Sequence, residues 1–127
     1  HQFNERSNGK RFYRVPGDFF SRSSMPNAIV MSDGLISECN PEFLAMLGAR
    51  ADCPMAELPN IFSVISAQYL YRFKCDLALV FTNGVGEYKF YQLKHLENGE
   101  LVSFIAKSAL IQHGGQLAYN ILFKEVA

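Results

Sequence analysis

Two short apolar runs near residue 30 predict the first pair of strands. The runs AIVMS (28–32) and LISEC (35–39) flank the dipeptide Asp33-Gly34. Asp-Gly between two β-rich runs is a strong hairpin signal, because a type I′ turn needs positive φ at both central residues. We therefore predict an antiparallel hairpin that turns at Asp33 and Gly34.

The pattern changes to a helical period directly after this hairpin, in the segment NPEFLAMLG. Asn40 is suited to the N-cap, where its side-chain oxygen accepts an amide hydrogen, and Pro41 is suited to the first helical position. Phe43 and Leu47 lie four residues apart and share one apolar face. Gly48 can end the helix in the left-handed conformation. A short helix should therefore fold straight back against its hairpin.

A longer helix and three more strands are predicted downstream. Apolar residues at helical spacing favour a helix over 61–73, with Asn60 as its cap. Asn83-Gly84 and Asn98-Gly99 each separate β-rich runs, which indicates consecutive antiparallel strands. These strands are predicted at 75–82, 87–96 and 100–108.

The last twelve residues, QLAYNILFKEVA, follow Gly114-Gly115. We interpret them as a helix, with Leu117 and Ile121 on one side.

The later strands are apolar on both faces. Along 87–96, Tyr88 and Phe90 alternate with Tyr91 and Leu93. A sheet that is apolar on both faces must be covered on both. We expect the helices to cover one face and a flanking helix or a second subunit to cover the other. The residues assigned to this possible dimer interface are Phe19, Phe20, Tyr91, Leu93, Leu117 and Ile121.

Composition is that of one globular domain, with 127 residues, 49% apolar and 19% charged. Twelve basic residues balance twelve acidic ones, and the basic excess lies in the first 22 residues, so the body is a poor nucleic-acid surface. Cys39, Cys53 and Cys75 match no disulfide or zinc pattern. We therefore expect free thiols, a cytoplasmic location and no membrane segment.

Motifs for catalysis are missing from the sequence. There is no Gly-x-Ser-x-Gly, phosphate-binding glycine loop or paired-histidine metal motif. Cys39 and Cys75 are either redox thiols or buried inert ones, and His95 is either a titrating group or a surface imidazole. Asp33 and Glu38 fit turn and strand roles better than acid–base catalysis. We expect no enzymatic activity, no metal and no cofactor.

The ordered set of motifs resembles a PAS domain over about residues 25–110. The resemblance is carried by Pro26-Asn27-Ala28-Ile29-Val30, by Asp33-Gly34, by NPEFLAMLG and by the three closing strands. It implies an α+β fold with a five-stranded antiparallel sheet in the order 2-1-5-4-3, and helices inserted between strands 2 and 3. Residues 1–24 would be a leader with a short flanking helix. Residues 111–127 would be a C-terminal helix leading to an output domain outside this segment.

The resemblance also implies a pocket between the helices and the sheet. The predicted helix has no histidine for a haem iron, and the Asn-Cys-Arg-Phe-Leu-Gln motif of flavin photoreceptors is missing. Seven apolar residues either line a cavity for a ligand or fill each other's space. They are Phe43, Leu47, Phe62, Ile65, Leu79, Phe81 and Phe90.

The function implied is that of a sensor or dimerisation domain in a bacterial signalling or transcription-regulatory protein. The pattern is similar to the N-terminal domain of regulators of plasmid conjugative transfer. Such a domain would form a homodimer and would reach DNA only through its output domain. The alternatives are a ligand-free interaction module, or the sensor domain of a histidine kinase or cyclase.

Overall fold

The chain folds into an antiparallel sheet with helices packed on one face. The computed structural model describes residues 4–7, 10–13 and 24–126. The strands are β1 (Asn4–Ser7), β2 (Lys10–Tyr13), β3 (Asn27–Met31), β4 (Ile36–Cys39), β5 (Lys89–Lys94), β6 (Leu101–His113) and β7 (Gln116–Glu125). The helices are α1 (Pro41–Leu47), a 3-10 turn (Met55–Glu57), α2 (Ile61–Val64) and α3 (Ala67–Asn83). None of the helices in the described part of the chain is long and apolar enough to cross a membrane.

The main sheet has the strand order β4-β3-β7-β6-β5, and every neighbouring pair is antiparallel. Counted along the chain from β3, this order is 2-1-5-4-3, so the predicted α+β fold is confirmed. Strands β1 and β2 form a separate hairpin, and β2 contacts β6 and α3.

The segment predicted as strand 75–82 is helical, and this prediction was wrong. Phe73, Leu77 and Val80 are buried at helical spacing on α3. Gly84 ends the helix in the left-handed conformation, with φ of 89°, and its amide donates to the carbonyl of Val80. Asn-Gly therefore acts here as a helix stop and not as a hairpin turn.

The helix predicted over 61–73 is interrupted at residues 65 and 66 and continues to Asn83. Ile65 forms a bridge to Leu93, and the amide of Ser66 donates to the carbonyl of Gln92 at 2.8 Å. Because β5 takes these backbone groups, α2 ends at Val64 and α3 begins at Ala67.

The predicted C-terminal helix is also wrong, because residues 116–125 form the long strand β7. Leu117, Tyr119, Ile121 and Phe123 alternate towards the core, which is the period of a strand and not of a helix. Gly114 and Gly115 have φ of 58° and 81° and join His113 to its partner Gln116, so they form the tight hairpin turn. The core therefore extends to residue 125, past the predicted boundary at 110. The short helix predicted near Phe19 lies outside the described residues.

A row of aromatic rings fills the space between the helices and the sheet. Successive ring centroids lie 5.1, 5.3, 5.9 and 5.1 Å apart. The row runs through Phe43, Phe123, Phe104, Tyr91 and Phe73. Rings at this spacing interact favourably beyond the area they bury, so the centre of the domain is packed.

Three residues assigned to a dimer interface lie in this core. Tyr91, Leu93 and Ile121 are at most 3% exposed and face the helices, so that assignment was wrong. Strand β5 turns Tyr91 and Leu93 towards the helices, and Ile121 lies on strand β7 and not on a C-terminal helix. Leu117 is half-buried against the core, and Phe19 and Phe20 lie outside the described residues.

The side chain of Asn40 joins β3, β4 and α1. Its Oδ1 accepts from the amides of Asn27 and Phe43, both at 3.0 Å, and its Nδ2 donates to the carbonyl of Met25 at 2.7 Å. The predicted N-cap is confirmed, and Pro41 occupies the first helical turn as predicted.

The predicted hairpin is also confirmed, but its turn spans Ser32 to Gly34 and is one residue longer than a type I′ turn, because the amide of Met31 donates to the carbonyl of Leu35 and the amide of Gly34 donates to the carbonyl of Met31. Oδ1 of Asp33 accepts from the amide of Leu35, and Gly34 has φ of 92°. The carbonyl of Gly34 accepts from the amide of Ile61, and a Cβ on Gly34 would lie 2.2 Å from Oδ1 of Asn60. The turn therefore docks directly on the start of α2, which only glycine permits.

We expect Asn40→Ala to lower the free energy of unfolding by about 3 kcal/mol, because it removes a cap and leaves the buried amide of Asn27 without an acceptor. The matched control is Asn60→Ala, which removes the exposed cap of α2 and should cost about 1 kcal/mol. Urea unfolding of both variants measures the difference. Equal costs would contradict the role given to Asn40.

We expect Leu93→Asp to prevent folding or to cost more than about 4 kcal/mol, because it places a carboxylate in the core. Phe90→Asp, on the opposite face of the same strand where the side chain is 38% exposed, should cost about 1 kcal/mol. Circular dichroism with urea unfolding tests the pair. A folded Leu93→Asp protein with wild-type stability would place Leu93 on the surface instead.

Candidate functional site

Two cavities flank helix α3. The first, of about 310 Å³, lies between the C-terminal half of α3, the segment after it, and strands β5 and β6. The second, of about 340 Å³, lies between α3, α2 and the β3–β7 side of the sheet. We call them the Asp76 cleft and the Tyr119 cleft after one residue that lines each. Leu77 lines both and therefore forms a wall that they share.

The Asp76 cleft combines an apolar wall with charged and polar groups. Its polar residues are Asp76, Asn83, Glu87, Lys89, Tyr91 and Ser108. Its apolar residues are Leu77, Leu79, Val80, Val85, Gly86 and Ala106. An apolar surface with a few polar groups is the usual composition of a small-molecule site.

A network of hydrogen bonds and ring contacts supports one end of this cleft. The hydroxyl of Tyr91 donates to Oδ2 of Asp76 at 2.5 Å, and Nε of Arg72 lies 3.8 Å from the same oxygen. The Arg72 guanidinium lies about 5 Å from the centres of the Tyr69 and Tyr91 rings and donates to the carbonyl of Phe90. Arg72 thereby ties α3 to β5 at the edge of the sheet.

Burial, followed by the hydrogen bond to Asp76 and its charge, raises the pKa of Tyr91 far above the usual value. Arg72 lowers that pKa, but by less. Tyr91 is therefore a neutral hydrogen-bond donor at every physiological pH. Asp76 keeps its second carboxylate oxygen for other partners.

The Tyr119 cleft is lined by fewer polar groups. Nζ of Lys74 lies 4.9 Å from the centre of the Phe62 ring. Both residues line the cleft together with Ser32. Burial raises the pKa of Tyr119, which keeps its hydroxyl neutral. This cleft offers one cation over an aromatic wall.

The predicted pocket residues do not share one cavity. Phe43, Leu47 and Ile65 are buried in the core and line neither cleft, while Phe62 lines the Tyr119 cleft. Leu79 lines the Asp76 cleft, although its side chain is 59% exposed. Phe81 packs against the core, half-buried, and Phe90 is exposed on β5, with its ring centre 5.7 Å from that of Tyr69. The seven residues therefore do not form one site. Phe90 lines neither cleft and is not part of the buried core.

Sequence reasoning missed the polar groups of the Asp76 cleft. The strand predicted over 75–82 gives Asp76 no position on a helix face, whereas the structure is helical there. A helical interpretation places Asp76, Val80 and Asn83 on one face at spacings of four and three, and this is the face that lines the cleft. The charge at Asp76 within an apolar face was the signal that could have revealed the site.

A serine, a histidine and a carboxylate meet at the edge of the sheet but do not form a catalytic triad. Oγ of Ser37 lies 3.1 Å from Nε2 of His113, and Oε2 of Glu38 lies 3.4 Å from the same nitrogen. In a triad the nucleophile and the acid contact different ring nitrogens, so that the acid orients the base. The group therefore links β4 to the end of β6.

His95 has a structural role in the turn between β5 and β6. Its Nδ1 lies 3.3 and 3.4 Å from the amides of Glu97 and Asn98, which donate to it. Its ring lies against Gly48, where a Cβ would be 2.4 Å from the nearest ring atom. The ring thus joins the end of α1 to the turn.

Three cysteines are free and partly buried, and no group of three or more His, Cys, Asp or Glu residues is placed to hold a metal ion within the described part of the chain.

Solved structures with the same fold are PAS domains. A PAS domain from Desulfitobacterium hafniense superposes with a TM-score of 0.70 at 16% identity, covering 86% of this chain and 99% of that chain. A PAS domain from a two-component sensor histidine kinase gives 0.65 at 7% identity, covering 83% and 87%. The PAS domain of nitrogen regulation protein NR(II) from Vibrio parahaemolyticus gives 0.58 at 10% identity, covering 89% and 99%.

No family model matches the sequence, and no curated protein matches it either. At these identities the structural likeness establishes the PAS fold.

We expect Tyr91→Phe to lower the free energy of unfolding by about 1–2 kcal/mol, because Asp76 loses its hydrogen-bond donor while the ring packing is kept. Tyr88→Phe removes the hydroxyl of an exposed tyrosine just before β5 and should change stability by less than about 0.5 kcal/mol. Urea unfolding compares the two variants. Equal midpoints for Tyr91→Phe and the wild type would show that the bond to Asp76 adds nothing.

Proposed function

We propose that this chain is the sensory PAS domain of a signalling protein and that it binds a small polar molecule in the Asp76 cleft. The observation that carries the proposal is a cavity of about 310 Å³ that combines apolar walls with Asp76, Glu87 and Lys89. The volume lies at the lower end of the range of about 300–1,000 Å³ that is usual for ligand sites. The likeness to a PAS domain from a two-component sensor histidine kinase supports a sensory role.

The charges of the cleft indicate the class of ligand. Lys89 can pair with an acidic group, and Asp76 and Glu87 can pair with an amine or accept hydrogen bonds. Leu77 and Val80 offer an apolar surface between them. A small molecule with both an acidic and an amino group fits this arrangement.

Helix α3 is the element that would report binding. Residues of α3 line both clefts. A ligand that fills the Asp76 cleft would therefore contact the same Leu77 side chain that borders the Tyr119 cleft. A ligand shifts a conformational equilibrium only by its difference in affinity for the two states. The proposed signal is thus a shift between two packings of α3 on the sheet. No catalytic step is part of this proposal.

The more specific form of the proposal concerns the output. We propose a homodimeric cytoplasmic regulator of transcription, in which a separate output domain binds DNA, as in regulators of conjugative transfer. The general pattern of the sequence, and not a specific motif, supports this form. A histidine kinase or cyclase output is the alternative.

A second candidate is a ligand-free interaction module. It is favoured by the row of rings from Phe43 to Phe73, which fills the centre of the domain. In that case the fold would serve only to hold partners together.

The test uses the purified chain in a thermal-unfolding screen against small amino acids, carboxylic acids and amines, with native mass spectrometry for any retained mass. A ligand should raise the unfolding midpoint, and Leu79→Arg should weaken its binding at least about tenfold, because the long side chain crosses the mouth of the cleft. Gln68→Arg is the matched control, an exposed position on the same helix that lines neither cleft, and it should bind as the wild type does.

Two results would contradict the sensory proposal. No compound and no retained mass would favour the interaction module. Equal binding by Leu79→Arg and Gln68→Arg would place the ligand outside the Asp76 cleft.

A further inference from the structure

The Tyr119 cleft is a second cavity, separate from the one to which the sensory ligand is assigned. Its volume of about 340 Å³ lies within the range of about 300–1,000 Å³ that is usual for ligand sites. The described residues that line it include one lysine and no acid, whereas Asp76 and Glu87 line the other cleft. The two clefts therefore differ in the charge that they accept.

The hydroxyl of Tyr119 is a hydrogen-bond donor without an acceptor. Tyr119 lies on the central strand β7 and is only 5% exposed, yet it lines the cleft. Within the described part of the chain its hydroxyl has no hydrogen-bond partner, in contrast to that of Tyr91, which donates to Asp76. A buried hydroxyl without a partner costs free energy, and a ligand that accepts its hydrogen would remove that cost.

The ring of Phe62 is a fixed wall of the cleft. Its centre lies 6.1 Å from that of Phe73, with the two rings nearly perpendicular. On another side it lies against the hairpin turn, where a Cβ on Gly34 would be 2.6 Å from Cδ2 of Phe62. These two contacts hold the ring in one orientation, so the cleft has a flat apolar surface before any ligand arrives.

The ammonium group of Lys74 stands over this wall. Its Nζ lies 4.9 Å from the centre of the Phe62 ring, where the ring face attracts a cation. No carboxylate of the described residues forms an ion pair with Lys74. The charge is therefore placed at the cleft and is available to an anion from outside.

The two polar groups ask for the same kind of partner. An ammonium group only donates hydrogen bonds, and the Tyr119 hydroxyl has a hydrogen to donate, so one carboxylate can accept from both. The walls formed by Phe62 and Leu77 suit a flat apolar body behind that carboxylate. We propose that the Tyr119 cleft binds a small aromatic carboxylate. This inference concerns a different cavity and a different class of ligand from the sensory proposal.

The experiment titrates the purified chain with benzoate by isothermal calorimetry, and repeats the titration with benzamide, which has the same ring and no charge. We expect one benzoate per chain, bound at least about tenfold more tightly than benzamide. Lys74→Met should lower the affinity for benzoate by roughly tenfold, and Tyr119→Phe by roughly three- to tenfold.

Lys107→Met is the matched control for the charge. Nζ of Lys107 also lies over an aromatic ring, 5.9 Å from the centre of Tyr88, but Lys107 lines neither cleft. This variant should bind benzoate as the wild type does. Urea unfolding without benzoate gives a second readout, because Tyr119→Phe removes a hydroxyl that has no partner and should not lower the unfolding midpoint.

Three results would overturn the inference. Equal affinity for benzoate and benzamide would show that the cleft does not select for the charge. Equal affinity of Lys74→Met and Lys107→Met for benzoate would place the carboxylate away from Lys74. Loss of benzoate binding in Leu79→Arg, with none in Lys74→Met, would place benzoate in the Asp76 cleft instead.

Discussion

The buried side-chain amide of Asn40 fixes the path of the chain between strand β4 and helix α1. Its oxygen accepts from one strand and one helix at once, and its nitrogen holds the segment that leads into β3. A buried amide that lost any of these partners would cost free energy, so β3, β4 and α1 are held in one arrangement. Through α1, Asn40 also aims Phe43 at Phe123, where the row of core rings begins.

Local signals predicted those parts of the fold where short-range chemistry decides the structure. Asp33-Gly34 and Asn40-Pro41 were interpreted correctly because a positive φ and an N-cap have few alternatives. Asn83-Gly84 was not, because the same dipeptide ends helices and turns hairpins. Residues 75–82 have a high strand propensity, but tertiary packing overrides it, because it buries Leu77 and Val80 at helical spacing. The strand order that the resemblance implied nevertheless holds, because β7 supplies the fifth strand, and the runs predicted as the fourth and fifth strands are the third and fourth.

The candidate site was harder to predict than the fold, because it depends on which apolar residues meet. Phe43 and Leu47 were correctly expected in the interior, but there they pack against other core side chains and line neither cleft. The space lies instead beside α3, and its polar lining comes from three separate segments around Asp76, Glu87 and Ser108. Only the pairing of β5 with β6 and the packing of α3 bring these segments together, and neither is written in any single motif.

A packed centre determines how such a domain could respond to a ligand. Hydrogen bonds attach both ends of helix α3 to the sheet. The amide of Ser66 donates to the carbonyl of Gln92 on β5, and the carbonyl of Gly84 accepts from the amide of Leu110 on β6. A ligand in the Asp76 cleft therefore cannot simply lift the helix, and its effect must pass through the side chains of the middle turns. Leu77 is the side chain that borders both clefts, and Tyr119 across the second cleft belongs to the central strand β7. Because dense cores repack between discrete arrangements instead of deforming smoothly, a change at Leu77 would be passed to the middle of the sheet.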